Sequence, residues 1–412
     1  MTDLTAEIIA AKVELRAALP SYAVAFREVE AELTREADAI VARRADGDPV
    51  VPSVDYADIA AGTVPAGTVA AIHRHGCAIV RGVFPAAQAS AWDAALFDYA
   101  RSNDYVERAK ARAGLDKYFS TLKSGAPQIY GIYWSRPQVQ ARQGEQLAST
   151  RAWLNGLWTS SRDGEAYFVP DRDCTYADRF RQREPGNDTL GLSPHVDGGS
   201  VERWIDPSFR RVYAHVFSGE WQRHDPWDGA GRTQTREIPS PAVCRMFRTY
   251  QGWTALTEQG PGDGTLQLVP MARAMIYMLL RPLQDDVPAD DLCGAQPGRA
   301  LTMTAQWHAP LLRARVPLPT VRPGDTVWWH PDVIHAVEDR HAGRGYSSVI
   351  YVGSAPDCAK NRDFLPMQRA AFEAGRSSPD FAAEDYEVDF RGRATIADLT
   401  ALGRKQMGYD AW

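Results

Sequence analysis

The sequence predicts a mainly β protein with helical flanks, in which N- and C-terminal α-helices pack on a jelly-roll core. From about residue 185 the chain consists of short apolar runs separated by Gly, Pro and Asp, which is typical of short strands joined by turns. These runs do not alternate with helical segments as a parallel βαβ fold requires. Helical periodicity instead marks the two ends of the chain. Together these observations favour a sandwich or jelly roll.

The N-terminal flank, residues 1–75, is predicted to be helical. Over residues 3–45 apolar side chains recur at helical spacing with charges between them, and Pro20 divides the pattern into two helices. A further helix is predicted from about residue 66 to 74. We interpret this flank as a packing layer for the rest of the chain.

Residues 76–355 are predicted to form the jelly-roll core with its insertions. The core starts with an apolar strand bounded by Gly, GCAIVRGVF (76–84), and a helix follows at about 85–102. The later strands are predicted in five runs: CRMFRTYQGWTALTE (244–258), GTLQLVP (264–270), ALTMTAQWHAPLL (300–312), DTVWWHPDVIHAVE (325–338) and SSVIYVGSA (347–355). The tail, residues 356–412, returns to helix, and the whole chain is predicted to be a single structural domain.

Charge and composition argue against several functions. A formal net charge of −6 disfavours nucleic-acid binding, which needs a clustered basic face. There is no apolar run of about eighteen residues, and the N-terminus is charged from residue 3, so we expect a cytoplasmic protein without a membrane partner. The five cysteines are scattered, which favours reduced thiols over disulfides. The expected partner is a small, polar substrate, and the oligomeric state stays open.

A candidate metal site lies in the stretch GLSPHVDGG (191–199). Residues i and i+2 on a strand point to the same face, so His195 and Asp197 can bind one ion. Two histidines and one carboxylate with open coordination positions are the ligand set of non-heme Fe(II) oxygen chemistry. His335, at the far end of the hairpin that GDTVWW begins, fits as the third ligand.

A second His-x-Asp pair, His330 and Asp332, competes for this role. Its members lie five and three residues before His335, so all three ligands would come from one loop. The pair at His195 and Asp197 can instead face His335 across a barrel. We therefore predict His195, Asp197 and His335 as the metal ligands and the catalytic centre, with His330 as a candidate support for His335.

Arg344 is the candidate for binding a carboxylate. It follows His335 by nine residues and precedes a strand that is predicted to lie beside the one carrying His335. A guanidinium there can pair bidentately with the far carboxylate of a 2-oxo diacid. A surface arginine in a polar turn is the alternative, and Arg340 is a competitor.

Several of these segments resemble known families. HVD at 195–197, GDTVWWHPDVIH and the following Arg344 resemble the Fe(II)/2-oxoglutarate-dependent oxygenases on the double-stranded β-helix fold. GCAIVRGVF and GPGDGTLQLVP (260–270) are similar to the phytanoyl-CoA hydroxylase branch of that superfamily. Four longer segments resemble the YbiU-like family, a domain of unknown function: IYGIYWSRPQVQARQ (129–143), AWLNGLW (152–158), GEWQRHDPWD (219–228) and RTYQGWTALTEQGPGDGTLQLVP (248–270).

The resemblance implies a reaction and its cofactors. Fe(II) is held by His195, Asp197 and His335, 2-oxoglutarate chelates the metal as co-substrate, Arg344 binds its far carboxylate, and O2 takes the remaining position. Decarboxylation of 2-oxoglutarate yields succinate and CO2 while a C–H bond of a small metabolite is hydroxylated, desaturated or closed into a ring. Because Asp197 supplies a carboxylate, halide has no vacated coordination site, and halogenation is disfavoured.

The second contact to the far carboxylate is less well defined. Many relatives place a hydroxyl two residues after the arginine, where this chain has Tyr346, so Ser347 becomes the candidate if the strand is bulged. The Arg and aromatic content of the insertions at 206–240 and 281–300 is compatible with a polar or anionic substrate such as a nucleotide, nucleoside or amino-acid derivative.

Two other functions stay open at this stage. One is a catalytically silent metal-binding jelly roll that binds or senses a ligand; the intact ligand triad and the arginine count against it. The other is a metal-dependent isomerase or hydrolase of cupin type. That class gathers more histidines on adjacent strands, and the β region of this sequence has no His-x-His pair with a nearby Glu.

Further residues are candidates for the walls of the site. Tyr130, Trp134 and Arg136 lie in an aromatic-rich segment and are substrate-binding candidates, although such aromatics also fill cores. Gln251 and Trp253 share a strand face, and on the inner face they would flank co-substrate or substrate. Plain barrel packing is the alternative for that pair.

Overall fold

The computed structural model of the protein describes residues 4–111, 128–186, 193–241 and 243–412, so Gly191 and Leu192 of the candidate metal stretch lie outside the described residues. Helices account for 42% and strands for 17% of the structure. The fold is a mixed α/β structure with several sheets, which corrects the prediction of a mainly β protein.

Most helices lie before and after the strand-rich region, and short ones interrupt it. The α-helices are α1 (Leu4–Ala18), α2 (Tyr22–Ala45), α3 (Tyr56–Ala61), α4 (Ala66–His75), α5 (Ala86–Ser102), α6 (Tyr105–Ala111), α7 (Arg136–Arg142), α8 (Glu145–Asn155), α9 (Glu202–Ile205), α10 (Pro207–Val212), α11 (Ala214–Phe217), α12 (Ala274–Leu280), α13 (Ala305–Leu312), α14 (Ala359–Ala374) and α15 (Ala401–Gln406).

The strands are short, and most are bounded by turns. They are β1 (Ser53–Asp55), β2 (Cys77–Arg81), β3 (Ile129–Tyr130), β4 (Ser161–Arg162), β5 (Glu165–Ala166), β6 (Val169–Asp173), β7 (Phe180–Arg183), β8 (His195–Val196), β9 (Tyr250–Ala255), β10 (Leu266–Val269), β11 (Leu301–Thr302), β12 (Val316–Pro317), β13 (Thr326–Trp329), β14 (Ile334–Val337), β15 (Ser347–Ser354) and β16 (Pro356–Asp357).

Two larger sheets organise the strands. The seven-stranded sheet has the order β1-β2-β13-β9-β15-β7-β3, and the five-stranded sheet has the order β11-β8-β14-β10-β12. Four antiparallel pairs are nested along the chain: β7 with β15, β8 with β14, β9 with β13, and β10 with β12. Successive strands in each half of this arrangement alternate between the two sheets.

The two sheets share one hydrophobic core. Successive side chains on a strand point to opposite faces, so Trp253 of β9 joins Leu268 and Ile334 of the five-stranded sheet in one buried cluster. Tyr250, on the other face of β9, packs in a second cluster with residues of α5 and α8. The seven-stranded sheet is therefore covered on both faces, and the space between the sheets is where inward side chains meet.

Several predicted elements are found where the sequence placed them. The chain breaks between α1 and α2 around Pro20, α4 and α5 have nearly the predicted bounds, and the apolar strand at 76–84 is β2. The run at 300–312 differs, because only β11 is a strand there and α13 follows it. A short apolar run fits both the helical and the strand period, and tertiary packing decides which structure forms.

Additional helix accounts for the correction to the fold class. The insertion that begins after residue 200 folds into α9, α10 and α11. The run AMIYMLL forms α12, which is buried on every side and packs against α2.

All five cysteines are buried free thiols, as predicted. Among the described helices, we find none with the length and apolar character needed to cross a membrane. The division at residues 76 and 356 stays a prediction.

Candidate metal centre

His195 and His335 face each other on neighbouring strands of the five-stranded sheet. They are direct Cα partners in the antiparallel pairing of β8 with β14. Their ring centroids lie 4.2 Å apart at an angle of 53°. Residues that are 140 positions apart in sequence are thus brought together by strand register, since directly opposed side chains on one face of a sheet are in contact.

Asp197 completes the cluster. It follows the end of β8, and its carboxylate oxygens lie 3.7 Å from Nε2 of His195 and 3.5 Å from Nε2 of His335. The three ligand atoms all lie within 4.8 Å of one another. The structure therefore brings together the three residues that the sequence predicts as a metal site.

Hydrogen bonds fix which nitrogen of each histidine faces the cluster. Nδ1 of His195 lies 2.7 Å from the carbonyl of Ser193, and Nδ1 of His335 lies 3.2 Å from the carbonyl of Val333. A carbonyl only accepts, so each Nδ1 donates, and each ring directs Nε2 toward Asp197. Two Nε2 atoms and a carboxylate thus converge on one point, where a cation can bind between them. The donor set fits a first-row divalent metal.

The ionisation states agree with this assignment. Burial, together with the neighbouring His335, lowers the pKa of His195 to about 4, so this ring is neutral at neutral pH. Burial acts to raise the pKa of Asp197, but contact with His335 and nearby positive groups outweighs it and holds the pKa of this carboxyl below its usual range. Neutral imidazole and ionised carboxylate are the forms that bind a metal.

Arg203 ties the two ligand-bearing segments together. Its Nη2 donates to the carbonyls of Asp197 at 3.2 Å and Gly198 at 3.3 Å, and its Nε donates to the carbonyl of Gly199 at 3.2 Å. Its Nη1 donates to Asp332 Oδ1 at 3.0 Å, in the loop just before β14. One buried guanidinium thus positions the chain after β8 relative to the chain before His335.

The backbone conformation after Asp197 explains why two glycines follow it. Gly198 and Gly199 have φ of +79° and +101°, values that side chains disfavour. A Cβ on Gly199 would also lie 2.6 Å from the ring of Phe209. The tight turn carries the chain out of β8 and presents the carbonyls that Arg203 binds.

The competing pair His330 and Asp332 is buried away from the cluster. Asp332 accepts hydrogen bonds from Arg203, from Arg232 at 2.9 Å and from the hydroxyl of Tyr213 at 2.9 Å. His330 contacts the carbonyl of Pro226 at 2.9 Å and accepts from the backbone N–H of Asp332 at 3.0 Å. Its ring stacks on Trp158 at 4.7 Å. Both side chains are committed to the protein itself.

A cavity of about 420 Å³ lies beside the metal cluster, between the two sheets. Its walls include inward residues of both sheets, such as Trp253, Trp329 and Val337. Gln251 and Trp253 also line the cavity, so they lie on the inner face of β9, where they were predicted to flank a co-substrate or substrate. The volume is that of a small-molecule site.

Arg181 is a functional candidate that the sequence reasoning missed. It lies on β7, it is 2% exposed, and it lines the cavity. Its Nη2 donates to Gln259 Oε1 at 3.1 Å and it also bonds with Tyr351, but its Nε has no partner among the described residues. A buried arginine with neutral partners only is a candidate for binding an anion.

Arg344 does not reach the cavity. It is exposed in the loop before β15, because that strand starts only at Ser347. Ser347 is buried, and its hydroxyl donates to the carbonyl of Asp263 at 2.7 Å, also outside the cavity wall. The neighbouring strand β7 supplies the inward arginine instead.

The aromatic segment near residue 130 packs the core. Tyr130 stacks on Phe180 at 4.5 Å, and Trp134 is 1% exposed and donates from Nε1 to the carbonyl of Arg376 at 2.6 Å. Arg136 is exposed and pairs with Asp398 at 3.2 Å. None of these three side chains is in the wall of the cavity. The packing alternative describes the two aromatic residues, and Arg136 is a surface residue.

The fold and the site define a mixed α/β protein with a candidate metal centre between two sheets. A family model described as Gig2-like matches residues 2–409, and the chain belongs to this family. It is 44% identical over 410 residues to "Uncharacterized protein YbiU" of Escherichia coli K12, covering 99% of this chain and 97% of that protein. The YbiU-like resemblance is thereby confirmed.

Crystal structures of relatives have the same overall fold. A Salmonella typhimurium LT2 protein named "Putative Oxidoreductase" is 41% identical with a TM-score of 0.93, covering 99% of this chain and 98% of that one. "GlcNAc Inducible Gene 2, GIG2 (DUF1479)" from Candida albicans is 26% identical with a TM-score of 0.83, covering 98% of this chain and 89% of that one.

Proposed function

We propose that the protein is a non-heme Fe(II)/2-oxoglutarate-dependent dioxygenase that hydroxylates, or otherwise oxidises at a C–H bond, a small polar metabolite. The observation that carries the proposal is the convergence of His195, Asp197 and His335 on one point of a cavity that also contains an anion-binding arginine. Two histidines and a carboxylate leave coordination positions for a co-substrate and for O2. The name of the Salmonella relative is in keeping with an oxidation.

The strand pairing supports a double-stranded β-helix core. Eight strands, β7–β10 and β12–β15, pair from the outermost to the innermost and alternate between two facing sheets. This pairing order is the one expected of a jelly roll formed from one long folded hairpin, and it supports that part of the proposal. The metal cluster lies on the second and seventh strands of this set, where strand pairing makes its histidines adjacent.

His195, Asp197 and His335 would hold the metal through two Nε2 atoms and a carboxylate. Bound Fe(II) supplies the activation of O2 and the oxidation of the substrate carbon, with the overall balance of substrate C–H, O2 and 2-oxoglutarate giving substrate C–OH, succinate and CO2. The protein's own residues orient the reactants and exclude water. Trp329, whose ring lies 5.2 Å from that of His335, shields the metal-facing side of the cavity.

Arg181 is the residue we assign to the far carboxylate of 2-oxoglutarate. Leu266 and Val337 are cross-strand partners that line the cavity together with Arg181. Val337 lies two residues along β14 from His335, or about 7 Å at the rise of a strand. The cavity wall therefore extends from the metal ligands over the length of a short diacid, with Arg181 and Tyr351 available to bind its far end.

An anaerobic titration tests the proposal. Fe(II) and then 2-oxoglutarate are added to the purified protein while the visible charge-transfer band of the chelate is followed. We expect the band in wild type, its loss in His335→Ala, and its retention in Arg322→Gln, a substitution in an exposed turn. An iron-loaded protein that gives no band with 2-oxoglutarate would contradict the proposal and favour a ligand-binding role.

A further inference from the structure

Arg248 lies in the cavity wall beside the metal cluster. It lines the main cavity and also a recess next to it that reaches Asp197 and Gly198. Its side chain passes Gly353 near the end of β15, where a Cβ would lie 3.1 Å from Arg248 Cδ. The guanidinium lies over the ring of Tyr176, 5.2 Å from its centroid. Within the described ranges Arg248 makes no hydrogen bond and no ion pair.

Two other acidic side chains in the wall of the same cavity, Asp380 and Asp178, have partners of their own. Asp380 pairs with Arg245 at 2.6 Å and also accepts from the hydroxyl of Tyr176 at 3.2 Å. Asp178 pairs with Arg179 at 3.7 Å. Asp197 contributes a favourable charge to Arg248, but a bound divalent metal takes up that charge. With metal present, this wall of the cavity holds a cation that the protein does not neutralise.

Gln251 provides a second unsatisfied group on the same wall. It is 2% exposed, and its Oε1 has no hydrogen-bond partner among the described residues. Like Arg248, it lines both the main cavity and the adjoining recess. Buried polar groups without partners are costly unless a ligand satisfies them. A guanidinium and an amide on one wall therefore define a polar subsite.

This subsite is separate from the one at Arg181. Arg181 is paired across the sheet with Val349, whereas Arg248 packs at Gly353, four residues farther along the same strand β15. At the rise of a strand these two backbone positions are about 13 Å apart. The guanidinium of Arg181 bonds to Gln259, whereas that of Arg248 lies over the ring of Tyr176, so we assign the two arginines to different anionic groups.

We propose that Arg248 binds a carboxylate of the primary substrate and that Gln251 Oε1 accepts a hydrogen bond from a donor group of the same substrate, so that the substrate class is a small carboxylic acid with an apolar body. The inference rests on the proposed oxygenase function, since it uses a metal beside Asp197 and a co-substrate at Arg181. A planar guanidinium fork binds a carboxylate through two parallel hydrogen bonds, and we assign the carboxylate because the second polar group of this wall, Gln251 Oε1, is an acceptor and adds no donor for the further oxygens of a phosphate. The surrounding wall of Tyr176, Val243 and Phe381 contacts the apolar body.

Calorimetry with matched probes tests the proposal. Phenylacetate, 3-phenylpropionate and indole-3-acetate, each beside its primary amide, are titrated anaerobically into the Fe(II)- and 2-oxoglutarate-loaded protein. We expect wild type and Arg322→Gln to bind at least one acid tenfold or more tightly than its amide. Arg248→Gln should weaken that acid at least tenfold and leave the amide unchanged. Arg248→Lys, which keeps the charge but not the fork, should fall between them.

Other outcomes overturn the assignment. The assignment is contradicted if the preference for the acid survives in Arg248→Gln. It is also contradicted if wild type binds every acid and its amide equally, or binds phenyl phosphate more tightly than every acid. An unchanged 2-oxoglutarate charge-transfer band in Arg248→Gln reports a folded site. If that variant does not fold, the affinity of Arg248→Lys for the acid tests the assignment instead.

Repeating the titration on metal-free protein separates the two proposals. An acid preference there without any charge-transfer band in wild type means that only the oxygenase function has failed.

Discussion

The chain contains two His-x-Asp sequences, one ending in Asp197 and the other in Asp332, and their surroundings differ in charge. Asp197 is 29% exposed to a cavity and faces Nε2 of two imidazole rings. Asp332 is buried between two arginines and a tyrosine hydroxyl. Identical spacing therefore supports two functions. The carboxylate without an arginine ion pair in the described part of the chain is the one available to a metal, and the carboxylate paired with two arginines organises the fold.

The histidines show the same contrast. His195 uses Nδ1 for the carbonyl of Ser193 and keeps Nε2 for the cavity. His330 uses both ring nitrogens within the protein and stacks on Trp158. Burial lowers the pKa of His330 to about 3, and His195 is lowered by burial as well, so neutrality alone does not distinguish them. What distinguishes the two histidines is that Nε2 of His195 faces the cavity, whereas both ring nitrogens of His330 contact the protein.

Removing the cavity-facing carboxylate should have the largest effect on activity. Asp197→Ala deletes one of three metal ligands, so we expect succinate formation from 2-oxoglutarate to fall below detection. The free energy of unfolding of the metal-free protein should fall less than it does when Asp332 is changed, because Asp197 has contact with His335 and the nearby charge of Arg248 but forms no ion pair with an arginine among the described residues. Succinate assays and urea denaturation measure the two effects. A stable, iron-loaded variant that still forms succinate would remove Asp197 from the site.

Removing the neutralised carboxylate should instead affect stability most. Asp332→Asn leaves Arg203 and Arg232 buried without their counter-charge, and breaking such a pair costs about 3–5 kcal/mol. Urea denaturation of the metal-free protein measures this loss, with Asp197→Asn as the matched control. If the two variants lost equal stability, the contrast between the two pairs would be broken.

The two pairs also show how far the sequence predicts the site. Strand periodicity and the position of the GDTVWW hairpin were enough to choose His195, Asp197 and His335, because strand geometry determines which side chains share a face. Arg181 carried a weak signal, two arginines at i and i+2 in the run FRQR (180–183). In a chain rich in arginine, only long-range packing shows which one lacks an acidic partner. That information is not local, and Arg344 was favoured for its position relative to His335.

The fold was predictable to a similar extent. Long amphipathic helices such as α2 and strands bounded by turns such as β13 have one clear period, and the structure confirms them. The runs that became α12 and α13 are short and apolar, so they fit a buried strand or a buried helix equally well. Packing against α2 decides both cases, and that contact is made by residues more than 200 positions away.

The contrast extends to arginines with and without an acidic partner. Arg203 and Arg232 have Asp332, whereas Arg181 has only neutral partners, so a ligand should supply its anion. We expect Arg181→Gln to weaken 2-oxoglutarate binding about 10- to 100-fold, the loss of a charge-assisted hydrogen bond of about 1.5–3 kcal/mol. Titration of the charge-transfer band measures it. Arg344→Gln should change the affinity by less than about twofold; the reverse result would return the carboxylate to Arg344.

We expect the smallest effect from a change at Arg203, which contacts both His-x-Asp segments. Arg203→Lys keeps a cation for Asp332 but loses the fork that also binds the carbonyls of Asp197 and Gly198. Residues that orient metal ligands typically contribute 10- to 100-fold in affinity, so we expect metal binding to weaken about tenfold in competition with a chelator. Arg232→Lys is the matched control, because Arg232 binds Asp332 without contacting the 197–199 segment. It should lose similar stability and leave metal affinity unchanged. Equal weakening in both variants would mean that the arginines position His335 through the Asp332 loop, and that the carbonyl contacts after β8 contribute little.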